Sequence, residues 1–142
     1  RGVPMTIAAI VPWLAAVAFL AFSTFVLSGE GTRIRNGWMF PAGASLAFLA
    51  FSLHAIYSEG VFGFWTEHTR NLWGNQIWLD LLLAVGIGWF LIVPRAKALG
   101  MRPLPWLLLV ASTGCVGFLA MTARMLYLTE RASASEPAAR TT

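Results

Sequence analysis

Four apolar runs separated by short polar links leave this chain few ways to fold. Each is close to the ~20 residues a helix needs to cross the ~30 Å hydrocarbon core of a bilayer. The runs lie at about 5–27, 38–58, 74–94 and 104–128, followed by a small, polar tail at 129–142. The expected fold is therefore an all-α integral membrane protein. It would be a four-helix transmembrane bundle in one domain, 1–128, with a short interfacial segment between the second and third spans.

Composition supports this reading. Of 142 residues, 58% are hydrophobic and 11% charged, against about 25% charged in soluble domains. The net charge of +4 comes from ten Lys and Arg scattered between apolar runs, so it marks loops beside membrane spans and not a nucleic-acid surface. Cys115 is the only cysteine, inside an apolar run, which excludes a disulfide framework and a cysteine metal site. The run from Met5 to Leu27 is longer than the 7–15 residues of a signal h-region, and Ser28-Gly29-Glu30 is a poor cleavage site, so a retained span is expected.

The links carry the remaining signals. Residues 28–37 form a Gly-rich turn, and Arg95–Arg102 a short basic connection before Pro103 and Pro105. The segment from Glu59 to Leu72 mixes Phe62, Phe64 and Trp65 with Glu67, His68 and Arg70. It is too short and polar to span and suits an interface. Trp13, Trp38, Trp65, Trp73 and Trp106 fall near span ends, where amphipathic rings are favoured. Arg33, Arg35, Arg95, Lys97 and Arg102 lie on one side of such a layout, and Arg1, Arg70, Arg131 and Arg140 on the other. This balance places both termini outside the cytoplasm of a bacterial inner membrane, cytoplasmic or photosynthetic.

Asp80 is the exceptional residue, because a carboxylate near a bilayer core costs about 2.5–3.5 kcal/mol and is usually paired or functional. Counting from the span ends puts His54, Asp80 and Arg124 each about 6–8 Å inside the same face. These three are the expected intramembrane polar cluster, with an Asp80–Arg124 ion pair fixing helix register. His54, Tyr57 and Trp78 are candidate ligand- or pigment-binding residues. Ala50 lies one turn before His54, which leaves room for a macrocycle beside an axial ligand. This spacing resembles the Ala-x-x-x-His pattern of bacterial light-harvesting polypeptides. His68, beside Glu67, reads as a solvated residue of the interfacial segment.

No catalytic residue set and no metal-ligand spacing is present. Gly86-Ile87-Gly88 sits inside an apolar run and reads as close helix packing. Asp80-Leu81-Leu82, the Arg95–Arg102 connection, Trp106 and the ending Leu126-Tyr127-Leu128-Thr129-Glu130-Arg131 make residues 72–131 similar to one family. That family comprises small bacterial membrane proteins of unknown function linked to terpene-cyclase-like proteins. Pro94 stands where it often has an acidic residue, and no proline follows Pro105. The resemblance implies a small helical membrane protein and assigns no chemistry.

Three functions follow as expectations. The first is a non-catalytic accessory subunit packed against a larger membrane complex, photosynthetic or respiratory, in contact with lipids and other subunits. The second is a binding module for a carotenoid, quinone, chlorin or lipid. The third is a terpene-cyclase-like membrane enzyme with Asp80 as proton donor.

Overall fold

Apolar sequence of this length forms helix wherever capping groups permit. The computed structural model describes residues 7–28 and 36–139, with side chains over 10–28 and 36–134. Among them are six α-helices and no strand: α1 (Ile7–Leu27), α2 (Met39–Glu59), α3 (Gly63–Thr69), α4 (Leu72–Ala98), α5 (Pro103–Thr113) and α6 (Cys115–Ala139). The chain divides into two units, one containing α1 and the other α2–α6. Three helices, α1, α2 and α4, are long and apolar enough to cross a membrane.

In α1, Pro12 lies early in the helix, and Thr24 and Ser28 return their hydroxyls to backbone carbonyls three or four residues earlier. A hydroxyl satisfied in this way needs no water.

The second unit is organised around α6, which packs most extensively on α2 and α5 and also touches α4. The ends of α4 show why the helix has its length. Asn71, in extended backbone, accepts the N–H of Gly74 at 2.9 Å and caps the first turn. At the other end Gly100 takes φ +77°. The N–H groups of Gly100 and Met101 then bond back to Lys97 and Ala96. This is the glycine-terminated helix stop in which the residue after the glycine also packs on the last turn. Met101 does so here: it joins Ala96, Met121 and Met125 in the buried core, with Trp89, Ile92, Val93 and Trp106 around them.

The expected fourth span at 104–128 is not one helix. Gly114 adopts φ +58° and ψ −125°, a conformation open to glycine and strained for other residues. Thr113 holds the break from both sides: its hydroxyl donates to Leu109 O at 2.7 Å and accepts the N–H of Gly117 at 3.0 Å. The chain folds back so sharply that a Cβ on Gly117 would lie 2.8 Å from the carbonyl carbon of Leu109. In a straight helix those positions would be about 12 Å apart. With 11 residues, α5 is about 16 Å long, roughly half of what a bilayer core requires.

The fold-back sets the direction of α6. Ser45 of α2 bonds Val116 O, whereas Trp38, seven residues earlier, meets Tyr127, so α2 and α6 are antiparallel. Gly88 of α4 abuts Phe118, and Ala96 abuts Met121 and Met125, so α4 and α6 run the same way. The helix α6 thus returns to the end where α4 finished and α5 began. The sequence reading put the C-terminal segment at the opposite end from the basic link; in this unit they share one end. The small, polar segment after Thr129 continues α6 to Ala139. It is rich in Ala with Glu and Arg, residues of high helix propensity, and extends a helix already nucleated.

Gly117→Ala is expected to destabilise the second unit by about 1–3 kcal/mol, because the backbone of Leu109 must move. Gly86→Ala, with nothing within 4 Å of the added methyl, should leave stability unchanged or raise it slightly. Thermal or denaturant unfolding of both variants in detergent micelles checks this.

Candidate functional site

The polar residues of the second unit separate into its two ends. Asp80 lies 16 residues before Ala96 on α4, about 24 Å along the axis. Arg124 precedes Met125, which packs with Ala96. Asp80 and Arg124 therefore occupy opposite ends, and no ion pair joins them. The sole salt bridge among the described residues is Arg70–Glu67, 3.1 Å, exposed and one turn apart on the α3 side. His54 lies nine residues beyond Ser45 on α2, away from Arg124. Depth counting failed because it assumed that the fourth segment crosses, whereas the turn at Gly114 brings it back.

Burial shows which way Asp80 points. The shielded positions of α4 are Trp78, Leu81, Val85, Gly88, Trp89, Ile92 and Ala96, a stripe of helical period. Trp73, Ile77, Asp80, Leu83, Ala84, Ile87 and Leu91 are exposed and lie on the other side. Asp80 is thus the carboxylate of the outer face of α4, directed away from the protein's own core. On α2 the shielded positions are Trp38, Pro41, Ala42, Ser45, Ser52 and Ala55. His54, nine residues from Ser45, lies half a turn away from it, and His54 and Ala50 are both exposed.

The candidate ligand set is not assembled around one cavity. Tyr57 is 90% exposed. Trp78 serves α3: its ring lies 4.9 Å from His68 and 6.1 Å from Phe64, centroid to centroid, in edge and tilted geometries. His68, expected to be merely solvated, is thus part of the aromatic contact that seats α3 on α4, with Nδ1 against Phe64 O at 2.5 Å. An open groove of about 450 Å³ lined by Glu59, Gly63, Thr66 and Glu67 lies nearby. Among the described residues no group of three His, Cys, Asp or Glu side chains is placed to hold a metal.

The other end contains the contacts that sequence reasoning missed. Glu130 of α6 accepts the N–H of Asn36 at 3.1 Å and of Gly37 at 2.7 Å, one on each carboxylate oxygen. Asn36 has φ +64°, a left-handed conformation that asparagine tolerates better than most residues. The carboxylate also faces the N-terminus of α2, where a negative charge is favoured. Tyr127, one turn before Glu130, has Trp38 edge-on at 5.6 Å, with the guanidinium groups of Arg124 and Arg131 5.7 and 5.4 Å from its ring centre. The turn-forming Asn36-Gly37 pair was visible in sequence; its carboxylate partner 93 residues later was not.

Comparison with protein-family models, curated proteins and solved structures gives no match.

Replacing Glu130 by Ala is expected to cost about 1–2 kcal/mol, since two backbone donors lose a charged acceptor. Replacing Glu67, whose pair with Arg70 is exposed, should cost less than about 1 kcal/mol. Parallel unfolding curves for the two variants separate these effects.

Proposed function

We propose that this chain is a non-catalytic, multi-pass membrane subunit that docks against another membrane protein through the outer face of α4. One observation supports the reading most: Asp80 stands exposed on that face, among Ile77, Leu83, Ala84 and Ile87 and at the opposite end of the unit from Arg124. A carboxylate directed at lipid costs about 2.5–3.5 kcal/mol, and a cation or hydrogen-bond donor on a neighbouring helix removes that cost. Ala84 lets such a helix approach closely.

Charge distribution orients the subunit. Arg95, Lys97, Arg102, Arg124 and Arg131 gather at the end where α4 and α6 meet the basic link, with Glu130 as its carboxylate. The opposite end carries Glu59, Glu67 and Asp80 with Arg70. The cationic end is the cytoplasmic one, and α6 emerges there.

Purification from native membranes in mild detergent tests the docking reading. Other subunits are expected to co-purify, and Asp80→Asn should reduce their recovery at least tenfold. The same variant should leave the melting temperature of the isolated chain unchanged, because the exposed Asp80 side chain has no hydrogen bond or ion pair among the described residues. A clean monomer with no companion subunit, from membranes in which the protein is native, would sink the idea.

A second reading, a site for a chlorin or related hydrophobic ligand, is favoured by one feature. His54 and Ala50 are exposed together on the side of α2 away from Ser45. That side leaves an axial nitrogen open beside a small residue. Visible absorbance of the purified complex should then shift or vanish in His54→Ala; a colourless protein, or a spectrum unaltered by the change, removes this reading.

A further inference from the structure

The turn at Gly114 does more than shorten the fourth segment. By returning α6 to the end where α4 stops, it places cations from three stretches of sequence around one small core. Arg95 and Lys97 flank buried Ala96, Arg102 follows buried Met101, and Arg124 precedes buried Met125. Arg131 joins them through the Tyr127 ring that it shares with Arg124. All five are exposed, and among the described residues none has a carboxylate within salt-bridge distance. The nearest candidate counter-charge, Glu130, is already occupied by two backbone N–H groups. At the other end the contrast is complete, because Arg70 is paired with Glu67.

Five cations with one carboxylate among them leave this compact apolar end strongly positive, and they repel one another unless further anions sit there. The same level carries the half-buried rings of Trp38, Trp106 and Tyr127, side chains that favour the boundary between hydrocarbon and water. Cations just outside such a belt are at the depth of lipid phosphates, and arginine matches a phosphate with two parallel donors. The 11-residue α5 enters from this level and stops about 16 Å deeper, so the end also presents the mouth of a helical hairpin.

From this juxtaposition we propose that the end formed by Arg95, Lys97, Arg102, Arg124 and Arg131 is a docking surface for anionic phospholipid headgroups. The proposal rests on the membrane reading above. It adds to that reading a lipid class and a site. The bound phosphates neutralise the cluster and hold the hairpin against the leaflet; the zwitterionic headgroup, whose own cation competes with arginine, binds less well.

The test uses the full chain reconstituted in bilayers of equal parts phosphatidylglycerol and phosphatidylcholine. Flotation of the vesicles first reports insertion, and the lipids retained after mild detergent extraction are then quantified by mass spectrometry. Phosphatidylglycerol should be enriched over the bulk ratio. Each cation removed from the set Arg95→Gln, Lys97→Gln and Arg102→Gln should lower the enrichment by up to about fivefold at low salt. Arg70→Gln should leave it intact, and Arg95→Lys with Arg102→Lys, which keeps the charge but loses the paired donors, should lower it less than the glutamine variants. Should the triple variant lose its helical circular dichroism, Arg124→Gln with Arg131→Gln, which disturbs only the Tyr127 ring contacts, gives the same reading. A chain that floats but retains the two lipids in their bulk ratio overturns the lipid surface and leaves the membrane reading standing. Equal enrichment in the glutamine variants overturns it as well. Loss of the enrichment to excess inorganic phosphate assigns the cluster to free phosphate and overturns it too. A chain that does not float with either lipid overturns both readings.

Discussion

One backbone conformation governs the second unit. At Gly114 the chain takes φ +58° and ψ −125°, which a side chain would resist. The missing side chain of Gly117 then allows the returning helix to lie directly on Leu109. Thr113 secures both strokes of the turn with one hydroxyl. Everything that α6 touches depends on this reversal: the antiparallel seam with α2, the methionine-lined core under the end of α4, and the sharing of Tyr127 by two arginines. Without it, Arg124 would stand near Asp80, as a straight fourth helix implies.

The contacts that hold this arrangement are few and differ in kind. Met121 is fully buried, and Met101 and Met125 nearly so; flexible thioethers fill the irregular space where α4, α5 and α6 converge. Ser45 supplies a buried hydrogen bond to Val116 O, and Glu130 two bonds to the start of α2. On the proposed membrane reading, where burial of apolar surface gives little net gain, such packing and polar bonds are the terms that select one helix arrangement over another. Most of the large apolar side chains on α2 and α4 are exposed in the isolated chain. In the docking role proposed for the Asp80 face, lipid and neighbouring subunits would cover them.

Much of the local structure was legible before any coordinate. The lengths of α1 and α2 follow from their apolar runs, whereas α4 runs on to Ala98 through part of the expected basic connection and stops at Gly100. The aromatic and charged segment after Glu59 could be set apart from the spans, although sequence did not show that it forms the short helix α3. The outward direction of Asp80 was only half legible. Its place within the apolar run was plain, but its face depended on which α4 positions packed, and α4 is apolar nearly all round. The pairing of Glu130 with Asn36 and Gly37 left no local trace, because a carboxylate just beyond an apolar run is equally at home in water.

By itself the sequence determined that this chain is helical, that α1, α2 and α4 fall on three of its four long apolar runs, and that most of its cations lie in links and tails. Those properties depend on composition and on neighbours one to four residues apart. Tertiary structure alone decided that the fourth segment turns back, which end receives Arg124 and Arg131, and which side of α4 carries Asp80. Gly114 stands in a run of small and apolar residues, where a glycine can equally serve close helix packing. Only the contacts across the turn, of Gly117 with Leu109 and of Met121 and Met125 with Ala96, distinguish a reversal from a straight helix.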